Sequence, residues 1–259
     1  MVRGTGGGEI VLGPLVITAY TGIRETDAKG RIRFLSDGIL TVENDTLIDA
    51  FLVGGGASGA RATDEYFMNG SPGGGGGYTK TAKKLLLRAG IRYTITIGVG
   101  GVNDDGGGTN AFGVKADGGR MYRAPMANQT TIMPDGGSGG GGADGNGGTN
   151  GGNGAGVSAG TGQGSTTRAF GEEDGELFSG GGAGGASLYQ KFPIGGAGGC
   201  GNADPDGVIN GGENTGGGGA GSSWYNKTTE DENGMITVEQ ATTEPGAGGS
   251  GIVIIREAM

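Results

Sequence analysis

Histidine is absent from this 259-residue chain, which removes the commonest general base and metal ligand at neutral pH. Cys200 is the only cysteine. It sits in Gly199-Cys200-Gly201 with no histidine to activate it, so it reads as a small buried filler, not a nucleophile. A single cysteine also excludes an intrachain disulfide framework. Gly54-Gly55-Gly56-Ala57-Ser58-Gly59 matches the G-x-G-x-x-G spacing of a dinucleotide loop. At this glycine content, however, about five such matches arise by chance, and no G-K-[ST] phosphate loop is present. Asn202, Asp204, Asp206, Gly207 and Glu213 fall at the ligand positions of an EF-hand-like loop, with Ile209 at its apolar position. Asparagine at the first position, the intruding Pro205 and glycine flanks in place of helices favour a solvated acidic turn. No catalytic residue, metal or cofactor is expected.

Recognition chemistry is better represented. Aromatic and methionine side chains cluster in four insertions: Tyr66-Phe67-Met68, the stretch from Met121, Tyr122 and Arg123 through Met126 to Met133, Leu188-Tyr189-Gln190-Lys191-Phe192, and Trp224-Tyr225-Asn226-Lys227. Aromatic rings and arginine are favoured anchors of binding surfaces. The expected contact residues are Tyr66, Phe67, Met68, Tyr122, Arg123, Met126, Tyr189, Lys191, Phe192, Trp224 and Tyr225. For any one ring, capping of exposed glycine backbone is the plainer role. Arg120, Arg123 and Lys191 would suit an acidic polysaccharide, although solvation is the default state of a charged side chain.

The elements that carry these insertions are rich in glycine. Glycine supplies 69 of the 259 residues, against a usual share of about 7%. Short glycine runs at 73–77, 106–108, 139–142, 180–182 and 216–219 alternate with polar or aromatic insertions, too regularly for one flexible linker. Polyglycine II offers an ordered alternative. It is an extended helix with three residues per turn and no internal hydrogen bonds. Its N–H and C=O groups point outward, and without Cβ atoms neighbouring chains can lie close enough to bond one another. Glycine loses more conformational freedom on folding than any other residue. Many inter-chain bonds, each contributing a net of about 0.5–1.5 kcal/mol, must offset that loss.

Good β sequence lies at both ends. Arg31-Ile32-Arg33-Phe34, Ile39-Leu40-Thr41-Val42 and Leu47-Ile48-Asp49-Ala50-Phe51-Leu52-Val53 read as strands, and so do Tyr78-Thr79-Lys80-Thr81, Leu85-Leu86-Leu87, Tyr93-Thr94-Ile95-Thr96-Ile97 and 251–256. The strands of 31–53 and 251–256 are expected to pair and close a sheet. No window holds an apolar period of 3.6 residues over ten positions, so almost no α-helix is expected. Residues 1–30, with strand-like Glu9–Leu12 and Leu15–Tyr20 around Gly13-Pro14, are expected to form an attachment segment ahead of a domain spanning 31–259. The charge of −9 and pI near 4.6 argue against nucleic acid as a partner. The longest apolar run, 252–255, is too short for membrane insertion, and no signal peptide is evident in the opening residues.

The order of motifs resembles the glycine-rich domain of phage and prophage tail proteins. The resemblance rests on 49–56, on Gly73 to Gly77 followed by Tyr78-Thr79-Lys80-Thr81, on 87–101 and 108–113, and on the ending 248–256. The same plan is similar to the extracellular glycine-rich region of anaplastic lymphoma kinase receptors and to T-even-like tail-fibre adhesins. These resemblances imply a mainly β, jelly-roll-like sandwich with an inserted bundle of polyglycine II helices. They further imply a virion protein synthesised in the host cytoplasm, a non-enzymatic tail-fibre or tail-tip adhesin. Its loops would bind a bacterial surface polysaccharide or outer protein, and residues 1–30 would join it to other tail proteins, as a homotrimer or as a monomer on a trimeric fibre. A structural tail component without a receptor is the alternative. An ice-binding protein is a third reading, disfavoured by the irregular aromatic insertions.

Overall fold

The computed structural model describes residues 11–61, 70–124, 130–188, 190–204, 206–207, 209–230 and 234–258. Twelve strands run through these residues: β1 (Ile17–Tyr20), β2 (Arg24–Thr26), β3 (Ile32–Phe34), β4 (Gly38–Val42), β5 (Thr46–Val53), β6 (Thr79–Leu87), β7 (Tyr93–Ile95), β8 (Thr109–Ala111), β9 (Val114–Ala116), β10 (Trp224–Glu230), β11 (Ile236–Thr242) and β12 (Ile252–Glu257). The helical content of the described residues is one 3₁₀ turn, Ala169–Gly171.

A five-stranded antiparallel sheet, β2-β3-β12-β5-β6, faces a three-stranded one, β1-β4-β7. The expected closure occurs: β12 lies between β3 and β5, with Ile254 opposite both Arg33 and Phe51. Alternation along β5 and β12 explains why their sequences are apolar at nearly every position. Ile48, Ala50, Leu52, Val253 and Ile255 face the smaller sheet, where they meet Leu40, Val42 and Ile95. Phe51, Val53, Ile252 and Ile254 face the other way, against Ala169, Phe170 and Phe178. Both faces are covered, so neither can be polar. The covering segment is clasped from the sheet side by Arg33 to Glu176 and by Arg256 to Glu172 at 2.5 Å, and Arg256 also stacks on the Phe170 ring at 4.2 Å.

The boundary expected at residue 30 falls between paired strands. β1 pairs with β4 and β2 with β3, so residues 17–26 are outer strands of the two sheets. Their backbone is hydrogen-bonded into the sandwich.

The glycine runs carry neither helix nor strand, and 54–60, 70–77, 136–142, 178–186 and 216–223 are buried throughout. Their hydrogen bonds follow a rule. Gly73 N–H donates to Gly141 and Gly76 N–H to Ser138, while Gly74 donates to Gly219 and Gly77 to Gly216. The neighbouring run behaves alike: Gly55 and Ser58 donate to Gly107 and Asp104, and Gly56 and Gly59 to Gly249 and Gly246. A step of three residues returns each segment to the same neighbour, three residues along. That is the three-residue turn of polyglycine II. Close approach is required at Gly182, where a Cβ would lie 2.0 Å from the carbonyl oxygen of Gly219. Apart from Phe178 at the start of one run and Pro72 in another, the residues other than glycine inside these runs are small, among them Ala57, Ser58, Ala183, Ala220 and Ser222, all buried.

Candidate functional site

The bundle has direction. Segments leave the sandwich at Val53–Gly54 and return at Gly77–Tyr78, and their far ends meet around Ala60, Ser71, Ala186 and Ser222. There Ser222 N–H donates to Ala60, Ser71 N–H to Ser222 and Gly185 N–H to Ser71. The insertions that begin at residues 61, 187 and 224 therefore emerge together, at the end of the bundle away from the sandwich.

The insertion expected as an aromatic loop, Trp224-Tyr225-Asn226-Lys227, opens a hairpin. β10 and β11 pair in unbroken antiparallel register from Trp224↔Thr242 to Glu230↔Ile236. Its root is fixed to the bundle: Trp224 N–H donates to Ala186 O at 2.8 Å, Ser223 N–H to Thr243 Oγ1 at 2.8 Å, and Ser223 Oγ to Ala203 O at 3.0 Å. Arg61 pairs with Glu244 across the same root. Beyond it the hairpin stands in solvent, with Ile236 63% and Val238 59% exposed. A two-stranded hairpin alone is marginally stable in water, and one that exposes β-branched side chains along its length offers a surface for contact.

Of the expected contact residues, Phe192 and Tyr225 are brought together, ring centroids 5.9 Å apart in an edge-on arrangement. Trp224 precedes Tyr225 at the hairpin root, half-buried, its Nε1 enclosed without a hydrogen-bond acceptor. Lys191 is exposed beside Phe192. Tyr122 and Arg123 lie on a different excursion, where Arg123 and Ile132 exchange backbone hydrogen bonds of 3.0 Å. The Arg123 guanidinium is held by Asp104 at 2.6 Å and Asp105 at 2.9 Å, so its charge is turned toward its own chain. Tyr66, Phe67, Met68, Met126 and Tyr189 lie outside the described residues. Sequence reading passes over Ile236, Val238 and Gln240. The alternating, β-branched Ile236-Thr237-Val238-Glu239-Gln240-Ala241-Thr242 is the signal available for them.

The EF-hand-like stretch has its first oxygens engaged by backbone. Asn202 Oδ1 accepts from Gly195 N–H at 2.9 Å, and Asp204 Oδ1 from Asp206 N–H at 3.0 Å. Among the described residues, no three of histidine, cysteine, aspartate and glutamate converge. Cys200 donates its thiol to Gly196 O, and burial pushes that thiol up to about 11, away from the thiolate that nucleophilic chemistry needs.

Residues 36–258 match the family described as the Glycine-rich domain. The chain belongs to that family. The match to the Glycine-rich domain begins after β3 and takes in β4 to β12, the bundle and the exposed hairpin. No curated protein matches the chain.

Proposed function

We propose that the chain is a receptor-binding adhesin of a bacteriophage tail, acting by equilibrium binding and catalysing no reaction. The observation that carries this reading is the exposed β10–β11 hairpin, rooted on a buried polyglycine bundle beside Phe192, Tyr225 and Lys191. A bundle tied by backbone hydrogen bonds is a stiff platform, and recognition residues on protruding segments of a rigid scaffold lose little entropy on binding. The resemblance of the motif order to that of phage tail proteins supplies the biological setting, since fold alone does not fix function.

The test is retention of the purified chain on intact cells from a panel of bacterial strains. Replacing residues 226–240 by a short Gly-Ser turn is expected to abolish retention while the melting temperature stays within a few degrees. Undiminished retention in that variant would remove the hairpin from the binding surface. Failure of the parent chain to bind any strain would favour the structural tail component.

A further inference from the structure

Three places on the bundle repeat one hydrogen-bonding device. At Asn146-Gly147 the side-chain Oδ1 accepts from Ile194 N–H at 2.9 Å, and Gly147 N–H donates to Ile194 O at 3.0 Å. At Asn210-Gly211 the Oδ1 accepts from Ala247 N–H at 2.9 Å, and Gly211 N–H donates to Ala247 O at 2.8 Å. Asp135-Gly136 grips Thr161 in the same way, at 2.7 and 3.1 Å. In each clamp a side-chain oxygen and the following amide take both backbone groups of one residue in another segment, much as an antiparallel strand partner would.

The two asparagine clamps hold a reactive pair of groups. Asparagine followed by glycine is prone to rearrange, because no Cβ shields the glycine nitrogen from the side chain before it. That nitrogen loses its proton and attacks the asparagine Cγ. A new N–Cγ bond forms, the side-chain nitrogen leaves as ammonia, and a succinimide ring results. Water then opens the ring to aspartate or to isoaspartate. Asn146 and Asn210 are both exposed, so burial does not keep water and base from them. The clamp acts in the opposite sense. It fixes the glycine proton on a partner carbonyl and ties Oδ1 to a partner amide, so Cγ is not free to swing onto the nitrogen. Both bonds belong to the bundle, and reaction waits for them to open.

We propose that Asn146-Gly147 and Asn210-Gly211 are latent modification sites, kept unreactive by their clamps and released where the bundle opens. The product makes the opening permanent. Isoaspartate carries the main chain through Cγ and lengthens it by one carbon, so the segment no longer meets the same neighbour three residues along. Aspartate adds a negative charge to a chain that already carries −9. The inference does not depend on what the chain binds.

The test follows both sites by peptide mass spectrometry while the full chain stands in mildly alkaline buffer, with synthetic peptides spanning each site as the reference. Conversion in the folded chain is expected to be slower than in the peptides by about a hundredfold or more, since it requires local opening. Ile194→Pro removes the N–H that holds Asn146 Oδ1 and keeps the carbonyl that holds Gly147. It should speed conversion at Asn146 by about threefold to tenfold and leave Asn210 within about twofold. Ala247→Pro should do the reverse. Equal rates in chain and peptides would overturn the proposal, and so would a pair of proline variants that accelerate neither site or both sites alike.

Discussion

The sandwich and the bundle solve one problem by opposite means. Each must bury backbone without leaving N–H or C=O groups unpaired. In the sandwich, strands pair edge to edge and large side chains such as Phe34, Phe51, Leu52 and Ile254 fill the space between layers. In the bundle, main chains are themselves the filling, and each segment bonds to several neighbours in turn. The first core is made of side chains and the second by their absence. They should therefore differ in what they tolerate: the sandwich suffers when atoms are removed, the bundle when atoms are added.

The largest effect is expected for Gly182→Val. Its Cβ would sit 2.0 Å from the Gly219 carbonyl oxygen, where only backbone could give way. A loss of more than about 4 kcal/mol is expected, read as insoluble protein or a collapsed melting transition. Near-normal melting would mean that the bundle is looser than its hydrogen bonds imply, and the contrast would break. Phe51→Ala should cost about 3–5 kcal/mol in denaturant unfolding, since Phe51 is 1% exposed and packs on both Phe170 and Phe178.

A smaller effect is expected at Asp27. Burial alone would raise its carboxyl, but hydrogen bonds from Arg31 and the Arg31 charge outweigh that and hold it below the ordinary value. A carboxyl lowered in the folded state contributes stability that is complete above its unfolded value, about 4. That contribution is lost as pH falls through the folded value. Asp27→Asn should cost about 1–3 kcal/mol at neutral pH by removing the charge that pairs with Arg31 and Arg33, and it should flatten the decline of melting temperature below about pH 4. An unchanged acid slope would assign that slope to other carboxylates. The smallest effect sharpens the comparison from the glycine side. Gly30 has φ +75°, and nothing lies within 4 Å of the place a Cβ would take. Gly30→Ala should therefore cost only about 1–2 kcal/mol, the conformational penalty alone. Calorimetry of Gly30→Ala beside Gly182→Val separates backbone preference from collision.

Legibility in the sequence follows the same divide. β5 and β12 are readable because both faces are buried and the runs are apolar almost without interruption. β6 reads as two pieces, Tyr78–Thr81 and Leu85–Leu87, because Lys84 bulges at φ +55° where the pairing slips between Ile48 and Ala50. The β8–β9 hairpin is hidden. Its turn places Phe112 at φ +55° ahead of Gly113 at +75°, a position that usually holds asparagine, aspartate or glycine. The exposed hairpin reads as a loop because Trp224 and Tyr225 outweigh the threonine-rich alternation behind them. Of the candidate site, the grouping of Phe192 with Tyr225 is legible as a class of residues but not as a contact. The capture of Arg123 by Asp104 and Asp105, nineteen and eighteen residues earlier, depends on a chain reversal that composition does not encode. Gln163 bonds Thr79 across 84 positions of sequence, and local pattern says nothing of such meetings.

The return to the same neighbour after every third residue has a consequence for how such chains can change length. Losing or gaining one residue within a run would rotate everything beyond it by roughly 120° about the segment axis, handing each amide to the wrong partner. A change of three residues restores the angular phase and alters only the height. Natural variation inside 54–60, 70–77 and 216–223 should therefore come in triplets, whereas the segments joining the far ends of the bundle are free to vary residue by residue.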